Sequence, residues 1–226
     1  MKYNIIGSSS KGNAIIVEDK ILLDCGVTYT KLKSYLKDIK LIFISHVHLD
    51  HLLPTTIKHI AYNYPTIKYL TGSEEVVKKL VECGVNKKNI YVLKPSKWYD
   101  LGLIKTKLEP LLHDTPNYAL SFEYEDKKCI YIVDTASVDN IEAKNYDLYL
   151  IENNFQEEIL EKHIQECIDN NDNENKLYYL QRTLNTHLSK SKCDDFLINN
   201  MGKNSTYQYI HLSSYNNTEN GEILTI

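Results

Sequence analysis

The chain has 226 residues, enough for one large domain or two small ones, and its 42% hydrophobic and 25% charged residues are typical of a globular protein with a buried core. A formal net charge of −4 argues against a broad basic surface that wraps duplex nucleic acid, although a local basic patch is compatible with it. No segment approaches the roughly 20 apolar residues of a membrane-spanning helix, so no membrane partner is expected.

The first residues, Met1–Ile6, lead directly into a predicted strand without an apolar signal region or a cleavage site, which predicts a cytoplasmic protein. The chain has five cysteines that are widely scattered and form no Cys-x-x-Cys pair. We expect them to be reduced structural thiols.

Short apolar runs bounded by turn residues predict strands along the chain, and runs of helical period predict helices between them. The predicted strands are Lys2–Ile6, Ala14–Glu18, Ile21–Leu23, Leu41–Ile44, Ile67–Leu70, Asn89–Leu93, Leu103–Leu112, Tyr118–Glu123, Cys129–Val133, Asp147–Ile151 and Ser205–Leu212. The predicted helices are Thr28–Leu36, Pro54–Tyr62, a helix between its cap Ser73 and Gly84, Gln156–Ile168 and Ser189–Met201. Because no linker separates two parts, we predict a single domain over residues 1–226.

Two polar segments interrupt this pattern. The Gly/Ser-rich turn Gly7–Asn13 is interpreted as a structural turn that lines a site, with a phosphate cradle as the alternative, since it lacks the spacing of a P-loop. The segment Asn170–Asn175 is the candidate low-complexity loop.

The apolar run Leu41–Ile44 opens directly into the motif His46-x-His48-x-Asp50-His51, which places three imidazoles and a carboxylate close together. In an extended segment His46 and His48 point to the same side, so they can share one metal ion. Asp50 and His51 follow where the chain turns, and they can face a second ion. Two ions about 3.5–4 Å apart activate water and hold the oxygens of a displaced phosphoryl group. The motif therefore predicts a two-metal centre.

Further candidates share one position in the predicted elements, at or just beyond the carboxyl end of a strand. They are His46, His113, Asp134, Glu152 and His211. Because two ions need more ligands than the motif supplies, we predict that His113 and His211 are ligands too. His59 and His163 lie inside predicted helices and are interpreted as surface or packing residues.

Several segments resemble the metallo-β-lactamase-fold hydrolases over nearly the whole chain. They are Gly7–Asn13, Leu22–Gly26, the His-x-His-x-Asp-His motif, Leu112–His113, Val133–Thr135 and Ile210–Ser213. Within that superfamily, Glu152–Asn154 and Asn185–Ser189 make the chain most similar to the nucleotide phosphodiesterase branch: ribonuclease Z, the YycJ-like exonucleases and the phage enzymes that degrade cyclic nucleotides to defeat Pycsar immunity. The resemblance implies an α/β fold, a four-layer αββα sandwich with two metal ions at one edge.

The resemblance also implies a ligand set, carried over residue by residue. The ligands of one ion would be His46, His48 and His113. The ligands of the other would be Asp50, His51 and His211. Asp134 would bridge the two ions, and Asp24 would orient a ligand histidine from behind. We expect two divalent ions, zinc in first place and manganese as the alternative, although iron also suits such ligands.

We expect metal-dependent hydrolysis of a nucleotide phosphodiester, in which a water activated by the metal pair attacks phosphorus in line. His187 is the candidate for protonating the leaving oxygen, and Glu152 is the candidate for orienting His187. Asp50 is counted as a catalytic residue beside its role as a ligand. The alternatives are a structural cap of the last helix for His187 and a partner of a Lys or Arg for Glu152.

Small cyclic mononucleotides rank ahead of single-stranded nucleic-acid ends, because the chain is short and modestly acidic and has tyrosines available to stack a base. A nuclease of the YycJ or ribonuclease Z type is the alternative. The chain departs from the YycJ-like pattern at Phe155, where a histidine is expected, and has no insertion long enough for the tRNA-gripping arm of ribonuclease Z.

Two further interpretations stay open at this point. Hydrolysis of a thioester or lactam on the same metals would need an acyl-binding pocket, and a non-enzymatic metal-binding module would need a closed site. We also expect a homodimer in which tyrosine-rich loops complete the site.

Overall fold

The computed structural model describes residues 1–213, so the end of the predicted 1–226 domain lies outside the described residues. Twelve strands alternate with six helices along this part of the chain. The strands are β1 Tyr3–Gly7, β2 Ala14–Val17, β3 Ile21–Leu23, β4 Leu41–Phe43, β5 Lys68–Thr71, β6 Ile90–Val92, β7 Tyr99–Asp100, β8 Lys105–Leu111, β9 Asn117–Tyr124, β10 Lys127–Ile132, β11 Leu148–Glu152 and β12 Thr206–Ile210. The helices are α1 Tyr29–Leu32, α2 Pro54–Asn63, α3 Glu74–Glu82, α4 Glu157–Asp169, α5 Glu174–Thr186 and α6 Lys190–Asn200.

The strands form two six-stranded sheets, with the orders β1-β2-β3-β4-β5-β6 and β12-β11-β10-β9-β8-β7. In the first sheet β1, β2 and β3 pair antiparallel, and β3 to β6 pair parallel. In the second sheet β10, β11 and β12 pair parallel, and β7 to β10 pair antiparallel. Since β8 is antiparallel to β9 and β9 is antiparallel to β10, strands β8, β10, β11 and β12 all end at the same edge.

The two sheets pack face to face, because both faces of their central strands are apolar. Along β10, Cys129 and Tyr131 enter the core between the sheets, whereas Ile130 and Ile132 enter the core on the outer face. Helices α1 to α3 cover the outer face of the first sheet, and α6 covers that of the second. The predicted four-layer αββα sandwich is thus confirmed.

The main error of the predicted elements lies between residues 170 and 187. The segment Asn170–Asn175 was predicted as a loop with no helix after it, whereas α5 begins at Glu174 and continues to Thr186. This helix packs against α4 and buries few residues, so its apolar face is narrow. The hairpin of α4 and α5 has a small core of its own: Phe155, Leu160, Cys167 and Leu180.

Two findings concern the predictions from composition. None of the described helices is both long and apolar enough to cross a membrane. All five cysteines are buried and unpaired, which agrees with the expected reduced thiols.

Candidate metal centre

The predicted site residues meet where strands of both sheets end at one edge. The residues that these strand ends deliver are Asp24 after β3, His46 after β4, His113 after β8, Asp134 after β10, Glu152 in β11 and His211 after β12. Asp24, Asp134 and His211 have φ angles of 57°, 51° and 52°, in the left-handed region that non-glycine residues seldom adopt. Such strain, of order 1–3 kcal/mol per residue, is kept where the surrounding structure enforces it, most often at functional sites.

The first half of the centre consists of His46, His48, His113 and Asp134, whose nitrogen and oxygen atoms converge on one point. His46 Nε2 lies 3.1 Å from His48 Nδ1 and 3.4 Å from Asp134 Oδ2. His113 Nε2 lies 3.4 Å from His48 Nδ1. These are the three histidines predicted to share one ion.

The second half consists of Asp50, His51, His211 and the same Asp134. His51 Nε2 lies 3.0 Å from Asp134 Oδ2 and 3.3 Å from Asp50 Oδ2. His211 Nε2 lies 3.5 Å from Asp50 Oδ2. Asp134 therefore stands between the two halves, in the position predicted for a bridging ligand.

The chemistry of these donors fits a pair of divalent ions. Ligand atoms about 2.0–2.1 Å from a tetrahedral zinc ion lie about 3.3–3.4 Å from each other, which is the spacing seen in both halves. A neutral imidazole has one N–H group and one nitrogen lone pair, so ring nitrogens that all face one point cannot all form hydrogen bonds with each other. A cation at that point would accept their lone pairs. Asp134 Oδ1 is buried and makes no hydrogen bond, although it lies 3.2 Å from His211 Nδ1. The site therefore has the donors for two ions.

Asp24 holds His51 from behind, as the resemblance implied. Its Oδ2 lies 2.6 Å from His51 Nδ1, so the other ring nitrogen, Nε2, faces the centre. Asp24 is fixed in turn by the backbone N–H and the hydroxyl of Ser45, at 2.8 and 2.9 Å, and by the Tyr131 hydroxyl at 2.7 Å. Carboxylates of this kind fix the tautomer and the direction of a ligand histidine.

Other ligand histidines have comparable partners. Ser45 Oγ lies 3.0 Å from His46 Nδ1, and the backbone carbonyl of Thr186 lies 3.1 Å from His113 Nδ1. The backbone N–H of His211 donates to Ser8 Oγ at 2.7 Å, so the turn Gly7–Asn13 lines the site.

His187 and Glu152 form a pair beside the second half. His187 Nδ1 lies 2.7 Å from Glu152 Oε1, and 3.5 Å from Asp134 Oδ1. The other oxygen of Glu152 accepts from the backbone N–H groups of Thr135 and Leu188, at 3.0 and 3.2 Å. Glu152 is fully buried and pairs with His187 rather than with a lysine or arginine.

The local charges set the protonation of these groups. Burial lowers the pKa of His46 and lowers that of His113 to about 4, so both rings are neutral at pH 7 and can offer a lone pair. Burial also acts against a charged His187, but the Glu152 and Asp134 carboxylates outweigh it and raise the pKa of His187 to about 10. In the metal-free protein His187 is thus an imidazolium at neutral pH, next to groups that can hold metal.

A cavity of about 430 Å³ opens beside the centre and shares Asp50 with it. Its lining combines the hydroxyls of the Gly/Ser turn, three apolar side chains and two ammonium groups. The side chains that face it include Ser9, Ser10, Lys11, Val27, Lys31, Leu49 and Leu53. Within residues 1–213 neither lysine takes part in an ion pair, so both charges are available to an anion.

Gly26 lines the cavity and lies in close contact with the backbone of Asp50. A Cβ atom at this position would lie 1.7 Å from the Asp50 carbonyl oxygen. We predict that Gly26→Ala lowers the free energy of unfolding by about 3 kcal/mol, since the backbone next to Asp50 must shift. Thermal unfolding measures this as a fall of roughly 6–12 °C.

Gly84→Ala is the matched control, because Gly84 has a φ of 91° but nothing within 4 Å of an added Cβ atom. It should cost only about 1–2 kcal/mol, through the backbone conformation alone. Equal losses in the two variants would contradict the close approach at Gly26.

The structure brings together every residue predicted for the site: His46, His48, Asp50, His51, His113, Asp134, Glu152, His187 and His211, with Asp24 behind them. It places His59 and His163 elsewhere, on α2 and α4. The roles of the residues that the structure brings together, as ligands or as catalytic groups, stay predictions. The sequence reasoning missed the supporting residues Ser45, Asp114, Tyr131, Arg182 and Thr186. Of these, Asp114 and Arg182 carried a signal, since Asp114 directly follows His113 and Arg182 is the sole arginine of the chain.

Comparison with known proteins identifies the family. Residues 19–166 match the family described as the beta-lactamase superfamily domain, and the chain belongs to it. A ribonuclease Z of Thermoplasma volcanium is 32% identical over 136 residues, which cover 54% of this chain and 44% of that protein. The match thus spans less than half of the length of that relative.

Solved structures of similar fold cover nearly the whole chain. The metallo-β-lactamase-fold protein YhfI of Bacillus subtilis has a TM-score of 0.68 at 15% identity, covering 93% of this chain and 85% of that one. The short form of human tRNase Z has a TM-score of 0.65 at 15% identity, covering 94% and 93%. At this identity the likeness concerns the fold. The family match confirms the predicted resemblance to the metallo-β-lactamase-fold hydrolases, and the ribonuclease Z relative supports the resemblance to their nucleotide phosphodiesterase branch.

Proposed function

We propose that this protein is a metal-dependent phosphodiesterase that hydrolyses nucleotide phosphodiester bonds, with cyclic mononucleotides as the preferred substrates. The observation that carries the proposal is the position of His187, whose Nδ1 lies 2.7 Å from Glu152 Oε1 and 3.5 Å from Asp134 Oδ1, next to the candidate two-metal centre. Two divalent ions, zinc first and manganese as the alternative, would be held by the two halves of the centre and would supply an activated water and charge stabilisation at phosphorus.

The leaving group explains why an acid at this place favours a phosphodiester. A ribose oxygen departs as a strongly basic alkoxide unless it receives a proton, so an imidazolium beside the centre speeds its departure. A thioester releases a thiolate, whose conjugate acid has a pKa of about 8.5, and needs no such acid. Glu152 keeps the His187 ring in one orientation, and the ring is 14% exposed, so it can reach a bound substrate.

The cavity beside Asp50 supports a small nucleotide as the substrate. A volume of about 430 Å³ is within the range of small-ligand sites, and Lys11 and Lys31 favour an anion. Two ammonium groups favour a substrate that carries an anionic group, as every nucleotide does. The formal charge of −4 also favours a small anion over a long nucleic acid.

A nuclease acting on single-stranded nucleic acid is the second candidate function, and the 32% identity to a ribonuclease Z favours it. Both candidates use the same residues for the same bond chemistry. They differ in the part of the substrate that lies outside the centre, which is a single nucleoside for a cyclic mononucleotide and a longer strand for a nuclease.

One experiment separates the candidates. The purified protein, loaded with zinc or with manganese, is offered cyclic mononucleotides, a 5′-labelled single-stranded oligonucleotide, bis(p-nitrophenyl) phosphate and a thioester, each with and without a chelator. Chelator-sensitive ring opening without shortening of the oligonucleotide is the expected result. Shortening of the oligonucleotide alone would assign the chain to the nucleases, and hydrolysis of the thioester alone would refute the phosphodiesterase proposal.

The cavity lysines give a prediction about substrate binding. The double variant Lys11→Ala, Lys31→Ala should raise KM for a cyclic mononucleotide by about 10-fold, since each lost contact to a phosphate oxygen costs up to about 1 kcal/mol at an exposed site. The value of kcat should change little, because the lysines lie in the cavity beside the centre and are not among its predicted ligands or catalytic residues. Lys33→Ala, an exposed lysine two residues after Lys31 that does not line the cavity, is the control. A fall in kcat as large as the rise in KM would mean that the lysines act on the centre itself.

The homodimer and the cytoplasmic location stay predictions. Tyr178 and Tyr179 on α5 are 68% and 51% exposed, which supports an exposed aromatic face that a second copy or a base could cover. Sedimentation velocity of the metal-loaded protein tests the dimer directly.

A further inference from the structure

A salt bridge outside the predicted ligand set joins helix α5 to the centre. Arg182 on α5 donates from Nη2 to Oδ2 of Asp114, the residue that follows His113. The other oxygen of Asp114, Oδ1, lies 3.4 Å from His48 Nε2 and 3.1 Å from His113 Nε2. The pair therefore stands between α5 and two predicted ligand histidines.

The identity of Arg182 is informative by itself. All other basic residues among the 26 lysines and arginines of the chain are lysines. A guanidinium offers a planar fork of donors that matches a carboxylate, whereas an ammonium offers only a point charge. The one arginine of the chain thus stands against this carboxylate, and its Nη2 contacts Asp114 Oδ2.

His48 differs from the other predicted ligands in two ways. It faces the centre with Nδ1, whereas His46, His51, His113 and His211 face it with Nε2. Its side chain is also 32% exposed, so packing alone does not fix its ring. Within the described part of the chain, Asp114 is the polar partner on the outward side of this ring.

We propose that Asp114 and Arg182 act together as positioning residues for His48. Asp114 accepts the Nε2–H of His48, which leaves the Nδ1 lone pair directed at the centre. Arg182 fixes the carboxylate of Asp114 and balances its negative charge, which would otherwise repel an anionic substrate at the open face. The inference rests on the two-metal centre of the proposed function.

The same helix end contributes a second contact to the same half of the centre. The carbonyl of Thr186 accepts from His113 Nδ1, one helical turn after Arg182. Two of the three histidines of the first half thus depend on the C-terminal half of α5, whereas Asp50 and His51 depend on the Gly/Ser turn and Asp24. The effect of Arg182 should therefore be confined to one ion.

Metal binding tests this without any substrate. Zinc is titrated into the metal-free full chain against a chromophoric chelator, for the wild type, Arg182→Ala, Arg182→Lys, Asp114→Asn and the control Gln181→Ala, an exposed neighbour on α5. Arg182→Ala and Asp114→Asn should weaken one of two ions by about 10- to 100-fold and leave the other unchanged. Arg182→Lys should fall between them and the wild type, since the charge stays and the fork is lost.

A second readout reports the His48 ring directly. Long-range ¹H–¹⁵N spectra of the imidazoles should show the Nε2–H tautomer of His48 in the wild type and a mixture of tautomers in Asp114→Asn. Two ions bound with unchanged affinity in both Arg182→Ala and Asp114→Asn would overturn the proposal. Thermal melts check folding, and if Arg182→Ala does not fold, Asp114→Asn and Arg182→Lys decide.

The outcomes separate this inference from the proposed function. Selective weakening of one ion in a chain that hydrolyses no phosphodiester would refute the phosphodiesterase and keep the positioning pair. Normal phosphodiester hydrolysis and unchanged metal binding in every variant would refute the positioning pair and keep the phosphodiesterase.

Discussion

Replacing Asp134 by asparagine should reduce phosphodiester hydrolysis by at least about 1000-fold, the factor that corresponds to a loss of about 4 kcal/mol of transition-state stabilisation. Asp134 Oδ2 lies within 3.4 Å of both His46 Nε2 and His51 Nε2, so it is the one carboxylate that both halves of the centre share. The buried side chain of asparagine keeps the shape but removes the charge that two adjacent cations need. Metal analysis of the purified variant should find fewer than two ions per chain.

The control for Asp134→Asn is Asp139→Asn, an aspartate that lies in an exposed turn and bonds to Ser137. It should keep both ions and full activity. If Asp134→Asn bound two ions as tightly as the wild type, Asp134 could not be a shared ligand, and the arrangement of the two halves around it would have another cause.

The sheet strands could be predicted because each has a strong local signal. Runs such as residues 148–151 of β11 are apolar on both faces, which is the pattern of a parallel strand buried between layers. Helix α5 could not be predicted in the same way. It packs mainly against α4, buries only Leu180, Thr183 and Thr186, and follows an asparagine-rich turn, so the stabilising contacts are tertiary.

The candidate centre could be predicted because several of its residues lie at or just beyond the carboxyl end of an apolar strand, and this position is recognisable in the sequence. A polar residue of metal-binding type directly after a buried strand is visible without any structure, as at His113 and Asp134. The supporting residues are not visible, since their partners are distant in the chain. In the sequence Tyr131 cannot be told apart from the apolar residues of its strand. In the structure its hydroxyl donates a hydrogen bond to Asp24, which is 107 residues away in the chain.

The two halves of the centre are supported by different parts of the fold. The second half is supported by Asp24 and by the Gly/Ser turn, all within the first sheet or its edge. The first half depends in part on α5, which belongs to a hairpin with a separate small core. Opening of that hairpin would loosen His113 and leave His51 in place, so the affinities of the two ions should differ.

His187→Ala should lower kcat for a cyclic mononucleotide by about 100- to 10,000-fold, the usual contribution of a positioned general acid, while both ions remain bound. The expectation follows from the charge state of the ring. In the metal-free protein the carboxylates of Glu152 and Asp134 outweigh burial and raise the pKa of His187 to about 10, so the ring carries a proton at neutral pH. An NMR titration of the metal-free protein should show this, and Glu152→Gln should lower the value.

The leaving group separates proton donation by His187 from a structural role. With bis(p-nitrophenyl) phosphate, whose leaving group departs without a proton, the loss in His187→Ala should shrink to a few-fold, since only the acid has been removed. The control is His59→Ala, an exposed histidine that stacks on Tyr29 far from the centre and should leave both substrates unaffected. A loss of the same size on both substrates would show that His187 supports the fold or the metals, and the leaving oxygen would then need another source of its proton.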